Sequence, residues 1–224
     1  MGGEAWGIVA LSLRVGIVAT AATLPVAFAL AWLLARKQFR GKILVEALIY
    51  LPLVVPPVVT GWFLLLTFAP KGPLGFLSDK VLFQWTGAAI AAGVMALPLM
   101  VRAIRLSIEA VDQRFEGVAR TLGASPWRAF RTITLPLSLP GVLAGAVLGF
   151  ARSLGEFGAT ITFVSNVPGQ TQTLPLAIYA ALQRPDGDAI ALRLSGLSIA
   201  LALVALIASE LLARRVRAGT VHGV

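Results

Sequence analysis

The chain has no cysteine and a single histidine among its 224 residues. Without thiols it can form no disulfide, no iron–sulfur cluster and no thiolate–zinc site. The one histidine, His222, lies near the C-terminus and reads as a solvated tail residue. No histidine is therefore available as a ligand or proton carrier in the body of the chain. Charge is scarce too: 13% of residues are charged, against about a quarter in soluble domains. The pattern G-x-x-x-x-G-K-[ST] is absent, which excludes ATP binding by a phosphate-cradling loop of that kind. No internal repeat or linker is visible, so the sequence reads as one transmembrane domain over residues 1–224.

What the chain has in excess is apolar sequence, 58% of residues, arranged in runs long enough to cross a bilayer. A spanning helix needs roughly 20 apolar residues. Five runs qualify, at about 8–35, 43–69, 85–107, 136–164 and 193–213. They predict an all-α, polytopic membrane protein. Their charges are few: Arg14 in the first, Glu46 at the start of the second, Arg102 and Arg105 at the end of the third, Arg152 and Glu156 in the fourth, Arg193 and Glu210 towards the two ends of the fifth. The opening MGGEAWG lacks the basic region of a signal peptide and its apolar run is too long, so it reads as a retained first span.

The net charge of +9 does not indicate nucleic acid, because the basic residues cluster just outside the spans. Arg36, Lys37, Arg40 and Lys42 follow the first run. Arg102, Arg105, Arg114, Arg120, Arg128 and Arg131 crowd the central loop, and Arg214, Arg215 and Arg217 lie in the tail. Lys and Arg accumulate on cytoplasmic loops. Five spans then fit one orientation, with the N-terminus outside and residues 109–135 in the cytoplasm.

That central loop is amphipathic. Phe115, Val118, Ala119 and Leu122 follow helical spacing, with Glu116 among them. Gly123 sits where a glycine ends a helix. Ser125 and Pro126 suit the cap and first position of a second helix, on which Trp127, Phe130 and Ile133 form a stripe. Leu135 and Pro136 are expected to close it and begin the next span. The residues alone admit two readings: a helix pair seated in a groove of a soluble partner, or a pair resting on lipid headgroups.

Inside the membrane, the run ARSLGEFGAT carries the sharpest feature. Arg152 and Glu156 are four apart, so on one helix they share a face, and charges within a span normally face protein or water. With Ser153, Gly155, Gly158 and Thr160 they are candidates for a translocation path or gate; a structural ion pair is the alternative. Pro52, Pro56 and Pro57 interrupt the second span, and the carbonyls they free are expected to face the bundle interior. Pro56 and Pro57 join the candidate path. Pro98 in the third span reads likewise. Gly141, Gly145 and Gly149 mark a close helix contact. In the outer loop 165–192, TLPLAIYAALQ predicts a short helix with Thr173 as its cap and Pro185-Asp186-Gly187 as its stop.

The central loop resembles that of ABC importer permeases, whose pattern is E-A-A, three residues, G, nine residues, I-x-L-P. Gly123 is followed after nine residues by Ile133-Thr134-Leu135-Pro136. The front half departs from the pattern: Val118 and Ala119 occupy the alanine positions and Gly117 the glutamate position, with Glu116 one residue early. Over most of its length the chain is similar to molybdate importer permeases, in LPLVVPPVVTGW, PLMVRAIRLSIEAVDQRFEGVARTLGASPWRAF and FARSLGEFGATITFVSN. The resemblance implies the type I ABC importer permease fold in a bacterial inner membrane. It also implies that residues 109–135 couple to an ATPase. The implied partners are a second copy of the chain, two cytoplasmic ATPase subunits that bind ATP-Mg, and an external molybdate-binding protein. No cofactor or metal is expected on this chain, and no nucleic acid. Sulfate and tungstate are the nearest alternative substrates; an ATP-independent channel or carrier is the alternative mechanism.

Overall fold

In a computed structural model, the described residues are 2–221, without side chains for 209–210 and 212–221, so the side chains of Glu210 and of the basic tail are not described and His222 lies outside. The described chain is helical, with no strand. In chain order, α1 is Gly2–Arg36, α2 Lys42–Val54, α3 Pro57–Phe68, α4 Ser78–Val81 and α5 Trp85–Glu109. The loop helices α6 Gln113–Thr121 and α7 Pro126–Ala129 follow. The rest are α8 Leu135–Leu154, α9 Gly158–Val164, α10 Leu174–Leu182 and α11 Asp188–Val221.

Three long helices make the core. α5 lies between α1 and α8; the first half of its buried face is mostly small, with Ala88, Ala89, Ala91, Ala92, Gly93 and Ala96, and the second half carries Met100, Val101, Ile104 and Ile108. Lipid gives little hydrophobic drive to helix association, so close van der Waals contact must hold such helices together. The glycine ladder on α8 meets this need within one chain. A Cβ on Gly141 would lie 2.1 Å from Ser107 Cβ, one on Gly145 2.9 Å from Ile104 Cγ1, and one on Gly149 2.5 Å from Met100 Sδ. Pro98 is buried within α5. Arg14, the charge in the first run, lays its guanidinium over the Trp85 ring at 3.7 Å, a cation–π contact.

Two of the five expected spans are interrupted. The second breaks at Val55–Pro56, where α2 and α3 meet at a bend of 114°. Pro56 and Pro57 explain the break: neither can donate to a preceding turn, and the residue before a proline is driven to extended backbone, as Val55 is at ψ 138. The pair still crosses from one end of the bundle to the other. Glu46 on α2 bonds Arg105 near the inner end of α5 at 2.8 Å. Phe68, at the end of α3, packs with Val81, Ala88 and Phe163 at the outer end. The break was expected to face the interior, but this chain leaves it open: Pro56 is exposed and Val54 is 83% exposed.

The fourth span, expected over 136–164, stops at Leu154 and resumes at Gly158 as α9. Its other end is longer than expected. Leu135 and Pro136 do not close the second loop helix; the helical run is continuous over Pro126–Leu154. A π turn at Phe130–Thr134 precedes Pro136, and the Leu135 N–H donates to Phe130 O, five residues back. The wider turn gives the proline ring room that a regular helix would deny it.

The short helix in the outer loop forms as α10. Thr173 holds the cap position, but its hydroxyl makes no capping bond. The Leu174 N–H is instead accepted by Ser12 Oγ of α1, at 2.8 Å.

Because the chain lacks cysteine, a single introduced thiol reports its own side of the membrane. With α2 and α3 forming one crossing, Lys71→Cys is expected to react with an impermeant maleimide from outside and Arg40→Cys, in the exposed loop before α2, only from inside. Both thiols reacting from the same side would make the bent pair a re-entrant loop.

Candidate functional site: a cytoplasmic docking loop and a mid-membrane junction

The cytoplasmic loop has two opposed faces. α6 starts at Asp112, whose carboxylate accepts the Arg114 N–H at 2.9 Å, and ends before Gly123, which sits at φ +89. The Ala124 N–H returns to Ala119 O at 3.0 Å, the closure that a left-handed residue permits. Ser125 Oγ accepts the Arg128 N–H at 3.2 Å and Pro126 opens α7. One face is solvent-exposed and apolar: Phe115, Val118, Leu122 and Trp127, with Leu122 at 83% and Trp127 at 66% exposure. Arg114, Arg120 and Arg128 are exposed around it.

The opposite face is tied to the spans. Phe130 packs edge-on against Phe28 and Trp32 of α1, at centroid distances of 6.1 and 6.3 Å, and stacks on Trp127 at 5.4 Å. Within the stripe of Trp127, Phe130 and Ile133, Phe130 therefore packs inward on α1 while its ring still stacks on the exposed Trp127. Ile133 and Leu135 are half-buried, Ala119 likewise, and Pro136 is exposed. Glu116 Oε1 accepts from the Thr134 hydroxyl and from Arg36 Nη2 at 3.4 Å. The spacing of the loop identified Glu116. It gave no sign of Thr134 or Arg36, which meet it only in three dimensions. Asp112 was not singled out, although an aspartate three positions before Phe115 is a recognisable N-cap signal.

The second constellation lies where the two interrupted spans meet. Gly149 of α8 packs on Met100, near the middle of α5. Five further residues, about 7.5 Å of helix, place Leu154 close to the midplane of the bundle. α9 continues outward beside α3, and the two starts touch: a Cβ on Gly158 would lie 2.8 Å from Pro57 Cβ, and one on Gly61 2.5 Å from Ala159 O.

Glu156 occupies this junction with its side chain 1% exposed. It does not lie on the same helix as Arg152, as their spacing had indicated, but beyond that helix's end. It nevertheless meets Arg152, whose Nη1 is 2.6 Å from Oε2 while its side chain is 25% exposed. This is a charge contact rather than an aligned hydrogen bond, since Oε2 has no hydrogen-bonded partner by angle. Oε1 accepts the Ala159 N–H at 2.8 Å, in the first turn of α9, where a carboxylate offsets the helix dipole. Ser153 and Thr160 are buried beside it and Gly155 is exposed. Pro56 and Pro57 thus lie at the same junction as Gly158, which their distance in sequence did not indicate. Among the described residues, no three of His, Cys, Asp and Glu come together as a metal site.

Comparison with known proteins decides the family. Residues 24–218 match the binding-protein-dependent transport system inner membrane component. The chain belongs to this family. A 53% identity over 221 residues, 96% of each chain, relates it to the molybdenum transport system permease protein ModB of Escherichia coli strain K12. The sulfate transport system permease protein CysW of Synechococcus elongatus is 36% identical over 220 residues, 95% of this chain and 76% of that one. Among solved structures, a bacterial ABC transporter involved in import of the acidic polysaccharide alginate matches with a TM-score of 0.74 at 18% identity, over 93% of this chain and 78% of that one. The fold is that of a type I ABC importer permease, and the chain is an inner-membrane transporter subunit.

Removing one partner of a buried pair strands the other charge, at about 3–5 kcal/mol. Arg152 is partly exposed, so the lower end applies to losing Glu156. Glu156→Ala and Arg152→Ala are each expected to lower the yield of folded permease. The double variant should do better than the sum of the singles. Simple additivity in folded yield would show that the two side chains do not interact.

Proposed function

We propose that the chain is the translocation subunit of an ATP-driven molybdate importer. Two copies enclose the path, two cytoplasmic ATPase subunits dock on residues 109–135, and an external molybdate-binding protein delivers the substrate. The observation that carries this reading is the 53% identity with a ModB protein across 96% of both chains. The matched stretch covers both the docking loop and the junction.

The physical chemistry supports the same division of labour. This chain has no phosphate-cradling motif, so ATP-Mg belongs to the partner, and this chain binds no cofactor. The ATPase meets the exposed Phe115, Val118, Leu122 and Trp127. Glu116, Ala119, Gly123, Ser125, Pro126, Phe130, Ile133, Leu135 and Pro136 shape and anchor that face. A two-fold pair of permeases matches one docking loop per chain to two ATPases.

The path runs past the junction of Pro56, Pro57, Arg152, Ser153, Gly155, Glu156, Gly158 and Thr160. Molybdate is a dianion, and Arg152 offers positive charge there. Glu156 neutralises Arg152 at rest, so the junction is a passage rather than a tight site. The 36% identity with a sulfate permease makes sulfate the second reading, since both ions are tetrahedral dianions.

The test is uptake into vesicles holding the permease, its ATPase and the loaded binding protein. ATP-dependent molybdate accumulation, little reduced by excess sulfate, is expected; uptake indifferent to ATP would contradict the proposal. Trp127→Ala removes a large exposed anchor, a change worth on the order of 2 kcal/mol in an interface, or about thirtyfold in ATPase affinity. Gly123→Val has open space around its side chain but strains a left-handed backbone by about 1 kcal/mol or more. It is expected to lower ATPase co-purification with the permease still inserted. Normal co-purification in both variants would place the docking surface elsewhere.

A further inference from the structure

Arg36 is the last residue of α1, where a cation ordinarily offsets the helix dipole and fixes topology. Its side chain does something else. It is only 9% exposed and reaches across to the docking loop. Nη2 donates to Val111 O at 3.3 Å and to Glu116 Oε1 at 3.4 Å. The same Glu116 oxygen accepts from the Thr134 hydroxyl, and Thr134 is fully buried in the π turn before α8. One carboxylate oxygen therefore joins three segments: the inner end of α1, the middle of α6 and the start of α8. Phe130 adds an apolar contact to the same end of α1 through Phe28 and Trp32.

α1 also touches the interruption. A Cβ on Gly16 would lie 3.0 Å from Phe150 Cε2 and 3.3 Å from Leu154 Cδ2, and Leu154 is the last residue before the break. Twenty residues separate Gly16 from Arg36, about 30 Å of continuous helix. One continuous helix, with Pro25 within it, thus meets the loop at one end and the mid-membrane junction further along.

We propose that Arg36 is a positioning residue that locks the docking loop to α1, so that displacement of the loop by the ATPase is carried along α1 to the Leu154–Gly158 junction. This rests on the reading of residues 109–135 as the docking surface. An arginine suits the task because Nη2 alone carries two hydrogens, one for each acceptor, on a charge that cannot titrate away. Lysine retains the charge but loses the planar guanidinium that fixes where those two hydrogens point.

The test has one arm that needs no ATPase. In the purified full-length permease, hydrogen exchange is followed in the segment 113–122. Arg36→Met, which keeps the apolar stem, is expected to speed exchange there at least fivefold and leave Trp85–Glu109 unchanged. Glu116→Gln should do the same, and the double variant should add little. Arg36→Lys should fall between, and serves if Arg36→Met does not fold. In the second arm, the assembled complex in vesicles should retain its ATPase in Arg36→Met but move at least fivefold less molybdate per ATP hydrolysed. Exchange within twofold of the parent would remove the lock. Faster exchange with unchanged molybdate per ATP would show that the lock does not transmit. If the parent chain itself captures no ATPase, the docking-surface reading falls, while the exchange arm still decides the lock.

Discussion

A backbone amide in hydrocarbon has no water to bond, and this constraint shapes the structure. A chain that obeys it crosses as unbroken helix, as α1 and α5 do. This chain breaks two spans near the midplane, at Val55–Pro56 and at Gly155–Phe157. The breaks are tolerable only where protein or water supplies the missing partners. At the second break Glu156 supplies one, accepting the Ala159 N–H at 2.8 Å, and Arg152 compensates its charge. At the first, the chain leaves Val54 and Pro56 uncovered. Lipid cannot complete that site; a second copy or a wet path can.

The cytoplasmic end follows a different logic. In water an amphipathic helix can bury one face and still leave another exposed. α6 and α7 use one face to hold the spans and the other to present apolar surface. Leu122 and Trp127 are exposed while Phe130 and Thr134 are turned inward. A helix pair merely resting on headgroups would not need a part-buried carboxylate–hydroxyl–guanidinium cluster beneath it. The cluster ties α6 to the inner ends of α1 and α8, beneath the face proposed to meet the ATPase.

Much of this was legible in the sequence because it depends on local rules. The spans follow from apolar length. The turn between α6 and α7 follows from Gly123, Ser125 and Pro126, each with its own conformational reason. The break in the second span follows from adjacent prolines. What could not be read depends on chain segments meeting in space. Arg36 looked like a topology charge, and its reach to Glu116 across 80 positions has no local signature. Gly155 looked like a path residue within one span, because nothing local says that Glu156 will leave α8 to serve α9. The π turn before Pro136 was hidden for the opposite reason: a proline after a helix normally signals an end, and here the helix widens and continues.

The central claim is that the two interrupted spans face a water-filled path rather than lipid. Thiol accessibility in the assembled transporter tests it directly, since the chain has no cysteine of its own. Gly155→Cys fits without steric conflict, the nearest atom lying 4.0 Å away, and Val54→Cys sits on the other side of the junction. Ile199→Cys, on the exposed face of α11, serves as the comparison. A small, membrane-impermeant thiol reagent is expected to modify Gly155→Cys and Val54→Cys, at rates that change when ATP is added, and to leave Ile199→Cys untouched. Modification of both junction thiols only by lipid-soluble reagents, with no response to ATP, would place the breaks against lipid and contradict the claim.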